Sequence, residues 1–283
     1  MRLASYETVD GPAAGVLLGE EIVPVSALQA PCTDVRGLLG TLDAEGLRGL
    51  AERAGQAEER IALADVTLRA PVIDPQKIIC IGLNYRDHAE ETGQEIPAAP
   101  MWFAKFANSL IGSGAPIILP AAHPDLVDYE SELALVIGRP ARNVSEQDAL
   151  SYIAGAMPFN DVSARDLQFQ NPLWTSGKAL DTFAPCGPAL VTLDEIEDLG
   201  ALNLQTRING ELLQQGTTVN LIFGPAALVA WLSRTITLLP GDIIATGTPA
   251  GIGAAQGRFL RDGDTVEVEI DGLGTLRNSV RGE

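Results

Sequence analysis

From Lys77 onward the chain is cut into short apolar runs. Ile78–Leu83, Pro116–Leu119, Glu132–Ile137, Ile153–Phe159 and Asp242–Ala245 are each shorter than an ordinary helix, and Gly or Pro punctuates the stretches between them. TVEVEI at Thr265–Ile270 alternates with Val266, Val268 and Ile270 on one face, the signature of a strand wet on one side. With 29 glycines and 18 prolines, this pattern predicts a β-rich body. Only Pro225–Arg234 reads as a substantial helix there, with proline in its first turn. Ser145 with Asp148 three residues on predicts a second helix start.

The first 72 residues read differently. A strand over Arg2–Thr8, a hairpin over Ala14–Val25 turning near Gly19, and a helical stretch from Asp34 to Ala54 interrupted at Gly40 and Gly46 make a small α/β unit, which Pro71 and Pro75 close. The expected organisation is therefore an N-terminal α/β domain over residues 1–72 and a β-rich catalytic domain over residues 73–283.

Charge narrows the function. The net charge is −18, and such a field repels nucleic acid and anionic membranes alike. No apolar run approaches the ~20 residues of a membrane helix. Cys32, Cys80 and Cys186 form neither a disulfide framework nor a metal knuckle. MRLASYETVD at the N-terminus has no apolar signal core. A cytoplasmic protein is expected.

Glu130-Ser131-Glu132 opens the apolar run LALVIG. Residues i and i+2 of a strand share a face, so both carboxylates project together and need a cation between them. Asp161, just after IAGAMPFN, would complete an oxygen-only set, which suits Mg²⁺ or Mn²⁺ rather than zinc. His88, with Glu91 three residues later in a helix-prone segment, has the spacing of a carboxylate-steadied general base. Lys178, one of three lysines, sits in the Trp/Gly/Pro-rich NPLWTSGKALDTFAPCGP, where a lone ammonium needs an acidic partner. Lys105, in MWFAKFANS, is read as a strand lysine snorkelling to solvent, and His123 as a loop residue. ATGTPAGIG at Ala245–Gly253 offers hydroxyl and backbone donors to an anion, but has neither a P-loop lysine nor GxGxxG spacing.

In this order, KIICIGLNYRDHAEE, FAKFANSLIGSG, DYESELALVIG, FNDVSARDLQ, WTSGKALDTFAPCGP, INGE and PGDIIATGTPAGIG resemble the fumarylacetoacetate hydrolase superfamily. The resemblance implies an α+β, β-rich fold, a roll of mixed sheets with a small N-terminal domain, usually as a homodimer. It implies metal ligation by Glu130, Glu132 and Asp161 and catalysis by Lys178 with His88 and Glu91. It places Gln168 and Thr248 on the substrate. Arg165, four residues after Asp161, is read from its position as a positive substrate contact or a brace for Asp161. Hydrolases, decarboxylases and tautomerases of the superfamily share these residues. The expected activity is Mg²⁺- or Mn²⁺-dependent hydrolysis of a C–C bond in an acylpyruvate through its enolate. The alternatives are an isomerase or decarboxylase of aromatic catabolism, acting on a 2-hydroxy-dienoate or 2-oxo dicarboxylic acid, and a metal-stabilised binding protein without turnover.

Overall fold

Ser131–Ile137 is buried along its whole length, and the alternation of its side chains explains how. Leu133, Leu135 and Ile137 enter one apolar core, while Ala134 and Val136 enter another on the opposite face. A strand covered on both sides must be apolar throughout, hence the continuous run LALVI. The structure, a computed structural model, describes all 283 residues.

This strand is central in an eleven-stranded mixed sheet. From one edge the order is Ile61–Ala62, Glu21–Pro24, Gly11–Leu18, Arg2–Thr8, Leu190–Thr192, Ile153–Asn160, Ser131–Ile137, Ile243–Ala245, Ile78–Gly82 and Met101–Lys105, with Leu68–Arg69 pairing beside Arg2–Thr8. Ile243–Ala245 runs parallel to Ile78–Gly82, and the other pairings are antiparallel. Helices Val35–Thr41 and Ala44–Gln56 supply Val35, Leu38, Leu39 and Leu50 to the core on one face. Helix Pro225–Ser233 supplies Leu228, Val229 and Leu232 to the core on the other. A second sheet of five strands, Glu211–Thr217, Asn203–Ile208, Thr265–Ile270, Gly274–Gly282 and Ile117–Leu119, closes the roll. Val266, Val268 and Ile270 are buried in it as the alternation requires, and Glu269 is exposed.

The sheet and its largest core both cross residue 72. Arg2 and Leu3 pair with Val191 and Leu190, and the core that holds Leu3, Val16, Leu38 and Leu50 also holds Cys80, Ala134, Met157 and Phe159. Two local expectations change. The helical stretch breaks at Asp43 rather than at Gly40 or Gly46, because the Asp43 carboxylate accepts from the Gly46 amide and caps a new helix. The helix opened by Ser145 is a single turn, Glu146–Ala149, with the Ser145 hydroxyl accepting from the Asp148 amide as expected.

Candidate active site

The antiparallel register of Ser131–Ile137 with Ile153–Asn160 pairs Ser131 with Asn160. That pairing brings the start of one strand beside the end of its neighbour, so residues 130 and 161 become adjacent although 31 positions apart. The Asp161 amide donates to the Glu130 carbonyl at 2.9 Å, and the Asn160 side chain accepts from the Glu130 amide at 3.0 Å. Glu130, Glu132 and Asp161 are all buried, each offering an oxygen within 4.8 Å of the others'.

Three cations answer these acids. Lys178 Nζ donates to Glu130 Oε2 at 2.8 Å and to Asp161 Oδ2 at 2.7 Å. Lys105 Nζ donates to Asp161 Oδ1 and, at 2.9 Å, to the Val162 carbonyl. The Arg165 guanidinium lies 2.7 Å from Glu130 Oε1 and 2.6 Å from Asp128 Oδ2. Burial alone would raise the Glu130 pKa, but Lys178 and Arg165 outweigh it and hold this carboxyl well below the usual range. Glu132 has no such partner. Burial, then Asp161 and Glu130, push its pKa well above normal, against the pull of Lys178 and of the Gly247 amide 2.8 Å from Oε2. Gly247 takes φ +100°, and a Cβ there would meet the Asn84 Cβ at 2.8 Å, so the loop reaches Glu132 only with glycine at this position. Burial would depress the Lys178 ammonium, but Asp161 and Glu130 raise it, so Lys178 stays charged. Lys105 moves the other way, its burial only partly offset by Asp161.

A cavity of about 100 Å³ opens onto this cluster. Its lining includes Glu130, Glu132, Asp161, Lys178, Arg165, Gln168, Thr248 and His88. His88 Nδ1 is 3.3 Å from Glu91 Oε2, on the short helix Arg86–Glu91. Arg165 donates to Gln168 Oε1 at 2.8 Å, which leaves the amide nitrogen as the Gln168 donor. Gln214 Nε2 donates to Thr248 Oγ1 at 3.0 Å, which leaves the threonine hydroxyl free to donate in turn.

Every residue proposed from the sequence for this site thus lies at the cavity or, for Glu91, on the residue that lines it. Lys105 is the correction. It does not snorkel but is 2 % exposed and bound to Asp161, because the last residue of its strand turns inward at the sheet edge. Only its apolar and aromatic neighbours could have signalled this. Arg165 braces Glu130 and Asp128 rather than Asp161. Asp128, which also accepts from the Gly253 and Ala254 amides, and Gln214 were not singled out for roles at the site.

Three convergent carboxylate oxygens with no nitrogen or sulfur donor, one of them made hard to ionise by burial and by the other two, fit a hard divalent cation. Fold and site together define a β roll of mixed sheets built around such a triad. Residues 77–281 match the family model described as Fumarylacetoacetate (FAA) hydrolase C-terminal, and the chain belongs to the fumarylacetoacetate hydrolase family. It is 39 % identical over 290 residues to "Oxaloacetate tautomerase fahd2, mitochondrial" of Xenopus laevis, covering 99 % of this chain and 90 % of that one. Among solved structures it is similar to 2-hydroxyhepta-2,4-diene-1,7-dioate isomerase from Mycobacterium marinum, at 36 % identity and TM-score 0.80 over 100 % of this chain and 99 % of that one. Maleylpyruvate hydrolase from Sphingobium sp. SYK-6, in complex with manganese(II) ion and pyruvate, gives 35 % identity and TM-score 0.84 over 100 % and 99 %. No helix is long and apolar enough to cross a membrane.

Proposed function

We propose that this protein takes a short 2-oxo acid through its enol form with the help of Mg²⁺ or Mn²⁺, and that keto–enol tautomerisation is its reaction. The observation that carries this reading is the shared cavity, where the acidic triad, the charged Lys178 and the Glu91-held His88 face one small space. Resemblance to tautomerases and isomerases supports proton transfer as the first reading over the C–C hydrolysis expected from the sequence.

Glu130, Glu132 and Asp161 would hold the cation, which supplies Lewis-acid polarisation of a 2-oxo group when bound. The Thr248 hydroxyl and the Gln168 amide are donors suited to the substrate carboxylate. Lys178 places positive charge where the enolate oxygen develops. With Nδ1 engaged by Glu91, His88 Nε2 is the nitrogen left to take a proton from the substrate carbon or return one. Enol absorbance of oxaloacetate should decay faster with enzyme plus Mg²⁺ or Mn²⁺, and chelation should abolish the acceleration. No acceleration with either metal overturns the reading.

The tether on His88 favours a second reading, hydrolysis of an acylpyruvate. The same Nε2 would take a proton from water, the water oxygen would bond to the distal carbonyl carbon, and the adjacent C–C bond would break. Its electron pair would pass to the pyruvate enolate, which is then protonated. Release of pyruvate and a carboxylic acid from acetylpyruvate would identify it. A homodimer is proposed on the family resemblance and is tested by sedimentation. The cytoplasm is the compartment proposed, although several relatives are described as mitochondrial, and cell fractionation tests it.

A further inference from the structure

The cavity has apolar walls that the acid–base chemistry does not use. Trp174, Phe103 and Phe169 line it together with Ile81 and Ile252. Trp174 meets Phe103 edge to face, ring centres 5.6 Å apart and planes at 70°. Phe103 in turn lies 5.1 Å from Lys178 Nζ, so the aromatic pair borders the reactive end of the pocket. Trp174 is seated on backbone. A Cβ added at Gly82 would fall 2.3 Å from one ring carbon of Trp174 and 2.9 Å from another. Gly82 has no left-handed conformation to account for it; the space that a side chain would occupy is filled by the indole. Trp174 lies four positions before Lys178, at the head of the turn Thr175–Lys178.

We propose that Trp174, seated on Gly82 and braced by Phe103, is the residue that limits the size of the group a 2-oxo acid carries at the end away from its carboxylate, so that small flat groups are admitted and bulky ones excluded. The proposal rests on the functional reading above. A two-sided contact fits it: the indole has the Gly82 backbone behind it and the Phe103 ring beside it, so moving it back toward the strand Ile78–Gly82 would unpack that strand.

Two substitutions move the wall in opposite directions. Trp174→Ala opens the cavity, and Gly82→Ala pushes the indole into it. The measured quantity is the ratio of kcat/KM for benzoylpyruvate to that for acetylpyruvate, followed by loss of enol absorbance whichever reaction consumes it. Trp174→Ala should raise the ratio by about tenfold or more, and Gly82→Ala should lower it, in keeping with the 10–200-fold that hydrophobic pocket shape commonly supplies. A purely structural role would lower both values together and leave the ratio unchanged, which overturns the proposal. A fall in the ratio for Trp174→Ala overturns it too, since the indole would then be a stacking platform rather than a wall. Calorimetric binding of phenylpyruvate and pyruvate in the presence of Mn²⁺ gives the same comparison without turnover. If wild type consumes neither dioxo acid, the ratio of binding constants still decides the role of Trp174, and the oxaloacetate assay decides the functional reading separately.

Discussion

The Gly251 amide donates to Glu91 Oε1 at 2.8 Å, across 160 positions of chain. The other oxygen of the same carboxylate faces His88 Nδ1, so Glu91 ties the loop that carries Thr248 to the helix that carries the candidate base. His88→Ala should lower kcat by about 10²-fold, the lower end of a general-base contribution. Glu91→Gln keeps a hydrogen-bond acceptor for the Gly251 amide and should cost less than Glu91→Ala, which frees both loop and imidazole. Steady-state kinetics with oxaloacetate and acetylpyruvate check this. Tautomerisation unimpaired in His88→Ala would assign His88 to water activation alone.

Glu132 sets the pH at which a cation can be held. Its pKa is raised by burial and by Asp161 and Glu130, and a cation needs the ionised form. Mn²⁺ affinity should therefore fall on acidification at a pH above the ~4.3 of an ordinary glutamate. Without metal, the sign for stability is opposite to that of a salt-bridged acid. Ionising Glu132 costs the folded state more than the unfolded one, so its contribution declines as pH rises from the unfolded value through the raised folded one. Glu130, held low by Lys178 and Arg165, contributes above ~4.3 and loses that contribution as pH falls below it. Metal-free Glu132→Gln should then melt above metal-free wild type at neutral pH, with the gain vanishing in acid, while its Mn²⁺ binding by calorimetry is lost. No gain at neutral pH would show that Glu132 is not strained by its neighbours.

Much of this centre could be read from the chain because its logic is local. Glu130 and Glu132 share a face by strand geometry alone, and Lys178 stood out as a rare lysine in an apolar setting. Asp161 directly follows the next apolar run, and the 131–160 register brings it beside Glu130. What local pattern could not show was decided by distant packing. Lys105 closes an edge strand, and period-two alternation does not say that this edge turns toward Asp161. Likewise, the pairing of Arg2 with Val191 joins segments some 190 residues apart, so the N-terminal strands read as a separate unit although they extend the same sheet.

Lys105 holds Asp161 from the side opposite its bond to Lys178, one carboxylate oxygen each. Lys105→Met removes an ammonium that also satisfies the buried Val162 carbonyl. The loss leaves a buried acid short of one partner and should destabilise the protein by about 3 kcal/mol, the scale for breaking a buried ion pair. Mn²⁺ affinity should fall as well, since Asp161 gains freedom. Lys178→Met breaks buried bonds to both Glu130 and Asp161, so it should destabilise at least as much, and it should also lower kcat, because it removes the charge nearest the developing enolate. Denaturant unfolding, calorimetry and steady-state kinetics on both variants separate the two roles. Unchanged stability in Lys105→Met would mean that Lys178 alone neutralises Asp161.

The centre leans on residues 1–72 through a shared core. The strands that carry Glu130, Glu132 and Asp161 send Ala134, Val136, Met157 and Phe159 into a core whose other wall is Leu3, Val16, Val35, Leu38 and Leu50. Removing the first 72 residues would bare that face to water and leave the backbone of Leu190–Thr192 without the partner it has in Arg2–Thr8. A 73–283 fragment should therefore aggregate or lose Mn²⁺ binding. A gentler probe is Leu38→Ala, which should cost about 2–5 kcal/mol, a large share of the ~5–15 kcal/mol that holds a typical domain folded. In that variant Mn²⁺ affinity should weaken in step with stability if the N-terminal helices hold the ligand strands in register. If the fragment instead folds and binds Mn²⁺ as the full chain does, residues 1–72 are an appended domain, and the shared core is not needed to build the site.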